Sequence, residues 1–323
     1  MLNKRFKIVI TDCDHPSVDI EKEILSKINS EPVLEFCRTE DDVIEKAFDA
    51  DAIINQYAPF TRKVIKSLRK CKVISRYGVG VDNIDIKAAT EHNIIVANVP
   101  DYCVDEVSTH TFSLILSCAR AIAMLDRKVR GGNWDFTLAK PLYRTQGQTI
   151  GLFGLGRIAR IMAQKATGFG FKIIAYDPYV FDTYGNVKLV TLEQLLSESD
   201  FLSIHAPLTE ETKHIIGEKE LKMMKNSAYL INTSRGALVD EKALYVALKE
   251  KRIAGAALDV MENEPPDWEN PLLSLENIVI TPHISFYSEE SYVELKTKTA
   301  EAVLSVLTGN RPRSVVNMEV LKS

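Results

Sequence analysis

Thr149-Ile-Gly-Leu-Phe-Gly154-Leu-Gly156-Arg-Ile-Ala159 decides how this 323-residue chain is read. The apolar run Thr149–Phe153 suits a strand covered on both faces, and Arg160–Gly168 continues with helical periodicity. The glycines between them spell GxGxxA, a variant of the dinucleotide-binding fingerprint. Gly154 permits the tight turn, Gly156 lets backbone amides approach a pyrophosphate, and Ala159 lets helix pack on strand. The helix N-terminus offers N–H groups and a positive dipole end to phosphates. Asp177 stands twenty-one residues after Gly156, at the end of the apolar run Lys172–Tyr176. A carboxylate there accepts hydrogen bonds from ribose hydroxyls and repels a 2′-phosphate, so NAD is expected rather than NADP. The bland alternative for Asp177 is a cap on the turn before Pro178. Arg157 either reaches the pyrophosphate or is a plain surface arginine.

Outward from this segment, short β-branched runs alternate with helix-period segments. Strands are expected at Lys7–Thr11, Ala52–Gln56, Val73–Arg76 and Ile94–Asn98, then at Thr149–Phe153, Lys172–Tyr176, Phe201–His205, Ala228–Asn232, Ala256–Val260 and Ile278–Thr281. A repeated βα series of near-continuously apolar strands implies an α/β fold with parallel sheets. The spacing Thr191-Leu-Glu-Gln194 predicts a capping box, and Asp240 caps the run Glu241–Lys251. A long helix is expected from Val104, with Val107, Thr111, Leu114, Ile115, Cys118 and Ile122 on one face. Four strands precede the fingerprint, and the helical segment Glu289–Leu307 crosses back to pack on them. The expected architecture is two Rossmann-like domains: a discontinuous outer, substrate-binding domain of residues 1–101 plus 290–323, and an NAD-binding domain of residues 102–289.

Composition narrows the partners. Net charge is −4, hydrophobic residues make up 46% and charged residues 26%, with both signs interspersed. Clustered Lys and Arg of the kind that follow a phosphate backbone are missing, so nucleic acid is not an expected partner. The basic stretch Arg62–Lys72 reads as a solvated helix face. The five cysteines are widely spaced with no CxxC pair, which fits reduced thiols and neither a zinc site nor a disulfide framework. The apolar run after the basic amino terminus is too short for a signal-peptide core, and no stretch is long enough to span a bilayer. A cytoplasmic chain without a membrane partner is expected, and no metal.

Three further segments carry chemistry: Asn232-Thr-Ser-Arg235-Gly-Ala-Leu-Val-Asp240, Ala257-Leu-Asp259-Val-Met-Glu-Asn-Glu264-Pro, and Thr281-Pro-His283-Ile-Ser285. With the fingerprint and the loop Gly78-Val-Gly80-Val-Asp82-Asn83-Ile-Asp85, they resemble the D-isomer-specific 2-hydroxyacid dehydrogenase family in motif and in order. The resemblance implies hydride transfer between NADH and a small 2-oxo acid, giving a D-2-hydroxy acid. It assigns Arg235 to the substrate's carboxylate and oxo group, a task for a planar fork of fixed charge. It assigns His283 to give a proton to the carbonyl oxygen and take it back, and Glu264 to hold the imidazole and stabilise its charged form. Taken singly, each has a bland reading: a structural histidine, a solvated glutamate, a surface arginine. Their joint appearance in family order favours catalysis.

The resemblance also implies that backbone amides of Val79 and Gly80 hold the substrate carboxylate. It places Arg76 and Phe286 beside substrate, and Ile158, His205, Ala206, Pro207, Thr212, Thr233, Ser234, Asp259 and Ser285 around the cofactor, with Gly154, Gly156, Arg157 and Asp177. The other histidines have no comparable case. Arg76 and the segment Val99-Pro-Asp-Tyr-Cys-Val-Asp-Glu106 look most like the branch of transcriptional carboxyl-terminal binding proteins. That branch has Trp where this chain has Phe286, so its substrate preference is not transferred. Phosphoglycerate dehydrogenases place basic residues after the second strand, where this chain has Asn55-Gln-Tyr-Ala-Pro-Phe60, so an unphosphorylated substrate is expected. Two alternatives stay open: a phosphoglycerate dehydrogenase-type enzyme, and an NAD(H)-responsive binding or regulatory protein. A homodimer joined through the helix from Val104 is implied by the resemblance.

Overall fold

The computed structural model describes residues 5–14 and 16–322. His15 and the basic amino terminus up to Lys4 lie outside the described residues. The chain forms two compact units, Met1–Cys103 with Ser288–Ser323, and Val104–Tyr287.

In the first unit, β1 (Ile8–Ile10), α1 (Asp19–Leu25), β2 (Val33–Leu34), α2 (Glu40–Ala47), β3 (Ala52–Asn55), α3 (Arg62–Ser67), β4 (Val73–Arg76), α4 (Ile86–Glu91) and β5 (Ile95–Ala97) alternate in order. The strands pair in parallel as β2-β1-β3-β4-β5. Ile8, Val9, Ile10, Ile53, Ile54 and Ile74 are buried because helices cover both faces. Full burial of each such side chain contributes roughly 1.5–3 kcal/mol. On α3, Arg62 pairs with Glu91 and Lys63 with Asp41, so this basic stretch is a surface of ion pairs.

The second unit starts with α5 (Val104–Ala119) and α6 (Ile122–Arg130). It continues through β6 (Thr149–Phe153), α7 (Arg157–Thr167), β7 (Lys172–Tyr176), β8 (Lys188–Leu189), α8 (Leu192–Glu198), β9 (Phe201–Ile204), α9 (Glu218–Met223), β10 (Tyr229–Asn232), α10 (Glu241–Lys249), β11 (Gly255–Leu258) and β12 (Ile278–Ile280). Its sheet is parallel throughout, in the order β12-β11-β10-β9-β6-β7-β8. The expected α/β class with two parallel sheets is therefore what the chain adopts. After the second unit, α11 (Glu289–Leu307) returns to the first, where Ser75 donates to the Thr299 carbonyl at 3.0 Å.

Local signals acted as their chemistry requires. Thr191 and Gln194 close the capping box of α8, and the Asp240 carboxylate accepts from the amides of Lys242 and Ala243. Two expectations need correction. Strands β2 and β8, two residues each, are additional to the ten read from sequence, since two residues carry no periodicity. The helix from Val104 does not run on to Ile122: Ala121 takes a left-handed conformation at φ 52°, and α6 leaves α5 at 62°. That turn breaks the i→i−4 ladder and leaves Ile122 exposed rather than on the apolar stripe. No single helix among the described residues is long and apolar enough to cross a membrane.

Candidate active site

Strand order in the second sheet reverses between β6 and β9, and the glycine turn sits at that switch, where open α/β sheets bind ligands. Gly154 has φ 94°, and a Cβ there would lie 2.9 Å from the His205 carbonyl oxygen. Both the backbone conformation and the neighbouring loop thus demand glycine. Gly156 caps α7 with no protein atom within 4 Å of where a Cβ would point. This open space above a helix N-terminus, with Arg157 exposed and Ile158 half-buried in the first turn, fits a pyrophosphate. Ala159 is fully buried against the sheet. Asp177 accepts from the Leu155 amide at 2.8 Å through one oxygen and from the Tyr179 amide at 2.9 Å through the other. Its charge is thereby fixed at the edge of the glycine turn, with lone pairs left for ribose hydroxyls.

The loop after β9 supplies the next group. His205 bonds Ser203 at 2.9 Å, and burial pushes its imidazole down to about 4, so it is neutral near pH 7. The Thr212 hydroxyl donates to the Pro207 carbonyl at 2.7 Å, which shapes the turn holding Ala206 and Pro207. The Ser234 hydroxyl reaches the Ile204 carbonyl at 2.9 Å and fastens the β10 turn to β9.

Arg235, Glu264 and His283 follow β10, β11 and β12, three adjacent parallel strands. At the usual spacing of about 4.8 Å, the outer two of these strands lie within roughly 10 Å of each other. His283 Nδ1 meets Glu264 Oε2 at 2.5 Å, and Glu264 Oε1 accepts from the Met261 amide at 2.9 Å. One carboxylate oxygen therefore orients the ring while the other is locked to the backbone. Both side chains remain about one-third exposed. Arg235 Nη1 donates to the Ser234 carbonyl at 2.8 Å, one of five guanidinium N–H donors. Gly236 then lies against the Glu264 loop so closely that a Cβ would fall 1.9 Å from the Met261 carbonyl carbon. Sequence reading missed this glycine; its signal is its place directly after Arg235.

Asp259 organises the turn that carries His283. Its carboxylate, 1% exposed, accepts from the Thr281 hydroxyl at 2.5 Å and from the amides of Ile284 at 3.0 Å and Ser285 at 2.9 Å. Its carbonyl accepts the His283 amide at 2.8 Å, and His283 itself is left-handed at φ 51°. Thr233 and Ser285 are likewise buried. The Phe286 ring meets the imidazole edge-on, 6.2 Å between centroids.

Arg76, Val79 and Gly80 belong to the first unit. The Arg76 guanidinium lies where a side chain on Gly78 would be, and Gly78 has φ 137°. Carbonyls of the loop are tied down: Asn98 Nδ2 donates to the Val79 carbonyl at 2.7 Å, and the Val99 amide donates to that of Gly78 at 2.9 Å. The amides of Val79 and Gly80 have no acceptor among the described residues, as an anion-binding loop requires. After β3, the Asp12 carboxylate accepts from the amides of Gln56, Tyr57 and Ala58, and Asp14 accepts from the Tyr57 hydroxyl at 3.1 Å. That loop is fixed by acidic groups.

Comparison with known proteins bears on these assignments. The model of the D-isomer specific 2-hydroxyacid dehydrogenase NAD-binding domain matches residues 112–285. A glyoxylate reductase of Korarchaeum cryptofilum is 41% identical over 95% of this chain and 97% of that protein. A D-3-phosphoglycerate dehydrogenase of Methanocaldococcus jannaschii is 43% identical over 87% of this chain, which spans 54% of that longer protein. The structure of a D-lactate dehydrogenase from Aquifex aeolicus, complexed with NAD and lactic acid, superposes with a TM-score of 0.86 at 27% identity and covers 98% of both chains.

Proposed function

The chain belongs to the D-isomer-specific 2-hydroxyacid dehydrogenase family, and from that premise we propose how its residues act and on what. It is an NAD-dependent oxidoreductase interconverting 2-oxo acids and D-2-hydroxy acids. The observation that carries the residue assignment is the His283–Glu264 contact at the carboxyl end of the sheet, on strands neighbouring the one that presents Arg235. The α7 N-terminus and Asp177 would hold NADH, which would supply the hydride. His283 keeps its Nδ1 proton on Glu264, so Nε2 is the nitrogen that gives a proton to the carbonyl oxygen during reduction and recovers it during oxidation. The Glu264 carboxylate stabilises the imidazolium before transfer. Arg235 neutralises and orients the substrate carboxylate, and its fixed charge polarises the adjacent carbonyl. The further substrate-binding groups in this proposal are the amides of Val79 and Gly80 with Arg76 in the first unit, and Phe286 in the second, whose ring meets the imidazole edge-on. Around the cofactor, His205, Ala206, Pro207, Thr212, Thr233, Ser234, Asp259 and Ser285 join Gly154, Gly156, Arg157 and Ile158.

The substrate we propose is short and unphosphorylated. The loop Gln56–Phe60 has no basic residue, and the carboxylates of Asp12 and Asp14 hold it, which opposes a phosphate there. NADH oxidation followed with glyoxylate, pyruvate, hydroxypyruvate and phosphohydroxypyruvate tests this. Turnover with one of the first three is expected. Turnover confined to the phosphorylated acid would overturn the substrate reading, and none with any would overturn the residue assignments.

We further propose a homodimer formed through residues 122–143. There no residue of α6 is fully buried in its own chain, and Trp134 and Phe136 are 89% and 74% exposed. Aromatic surface of this kind is enriched at interfaces. A cytoplasmic location fits five cysteines of which none is disulfide-bonded.

A further inference from the structure

Helix α5 passes beneath both catalytic turns, and two consecutive residues on it reach them. His110 Nε2 lies 3.1 Å from the Thr281 hydroxyl oxygen, and the Thr111 hydroxyl lies 2.8 Å from that of Thr233. We propose that His110 is a positioning residue for the acid/base histidine, acting through Thr281 and Asp259; this rests on the role given to His283 above.

Hydrogen counting fixes the direction of the chain. Asp259 Oδ1 accepts from Thr281 at 2.5 Å, which uses the single hydroxyl proton of that threonine. The Thr281 oxygen must then accept at 3.1 Å, which makes His110 Nε2 the donor. The same nitrogen is 3.6 Å from Asp259 Oδ1, and among the described residues no Lys or Arg pairs with that buried carboxylate. A donor at this point polarises the hydroxyl and steadies the carboxylate that grips Ile284 and Ser285. Those amides directly follow the left-handed His283, whose conformation is costly and persists only while its surroundings impose it. Next along the helix, Thr111 gives its own proton to the Val107 carbonyl at 2.7 Å and accepts from Thr233, two residues before Arg235. One turn of α5 thus braces the loop of the guanidinium as well as that of the imidazole. No chemistry is asked of His110, which acts only through Thr281 and Asp259.

The test compares His110→Leu, His110→Gln and Thr281→Val in the full chain, with kcat, KM for NADH and Tm measured for each. His110→Leu should lower kcat by about 10-fold to 10²-fold with KM for NADH within about twofold, the usual scale for a misplacement of order 1 Å. His110→Gln keeps an amide donor and should recover most of that loss. The losses in His110→Leu and Thr281→Val should not multiply in the double variant, because both break one chain. Wild-type kcat in His110→Leu, or a loss equal in His110→Gln, would overturn the proposal. So would multiplicative losses, or a kcat loss that tracks a fall in Tm across all variants. His283→Ala run alongside separates the two ideas: if it turns over normally, the acid/base assignment fails first.

Discussion

Adding one methyl group at Gly236 or at Gly156 is the same chemical change with opposite expected outcomes. At Gly236 the new Cβ would lie 1.9 Å from the Met261 carbonyl carbon, 2.1 Å from its oxygen and 2.4 Å from the Glu262 nitrogen. All three are backbone atoms, so no rotamer change relieves the clash. Ordinary carbon contacts are about 3.5–4.0 Å, which forces the Arg235 and Glu264 loops apart by roughly 1.5–2 Å. Over-packing of this kind costs about 1–3 kcal/mol, and the displacement falls between the guanidinium and the carboxylate that orients the imidazole. Gly236→Ala should therefore lower kcat/KM by 10²-fold or more and Tm by roughly 5 °C, with NADH affinity nearly kept. At Gly156 the methyl meets no protein atom within 4 Å, and φ is −75°. Gly156→Ala should lower Tm by only about 2–3 °C, the cost of a poorer N-cap residue, yet weaken NADH about tenfold by filling the pyrophosphate's space. Steady-state NADH oxidation, NADH fluorescence titration and thermal melts measure all of this. Wild-type kcat/KM in Gly236→Ala would refute the claim that backbone contact sets the catalytic geometry. Undiminished NADH binding in Gly156→Ala would refute the pyrophosphate assignment.

His283→Ala should reduce turnover by about 10³-fold while NADH affinity stays, on the scale of a lost general acid; equal loss of both in titration and kinetics would mark a structural histidine. Glu264→Gln keeps a hydrogen bond but loses the charge, and at a site about one-third exposed about tenfold in kcat is expected; an unchanged kcat would remove Glu264 from its role. For His205, the unfolded chain takes up a proton near 6.5 and the folded chain only near 4, so stability is full above 6.5 and is lost as pH falls toward 4. At pH 5 this amounts to about 2 kcal/mol, which His205→Asn should abolish in urea melts; parallel pH profiles for the two proteins would contradict it. Trp134→Ser with Phe136→Ser should halve the mass in sedimentation, and an unchanged mass would exclude this segment as the interface.

The ten longer strands, the glycine turn and the Asp177 carboxylate were legible because each depends on near neighbours: an apolar run, a turn that demands φ above zero, a strand end. Strands β2 and β8 were not, since pairing with a partner, rather than composition, makes two residues a strand. Nor was the break at Ala121, where alanine is an ordinary helix former and tertiary packing overrides propensity. Arg235, Glu264 and His283 were named from their motifs, and the 2.5 Å contact between the last two is a property of strand order. His110 was passed over because one histidine in a helix says nothing about a threonine 171 residues away.

Sequence alone determined the fold class and the glycine turn, because hydrophobic period and turn chemistry are local quantities, and the resemblance of its motifs to a family pointed to Arg235, Glu264 and His283 as the reacting side chains we propose. Which hydroxyl meets which carboxylate, which glycine touches a distant backbone and which helix reaches the turns of Thr233 and Thr281 were decided only in three dimensions. Those contacts arise between segments far apart in the chain, and their strengths fall off within tenths of an ångström.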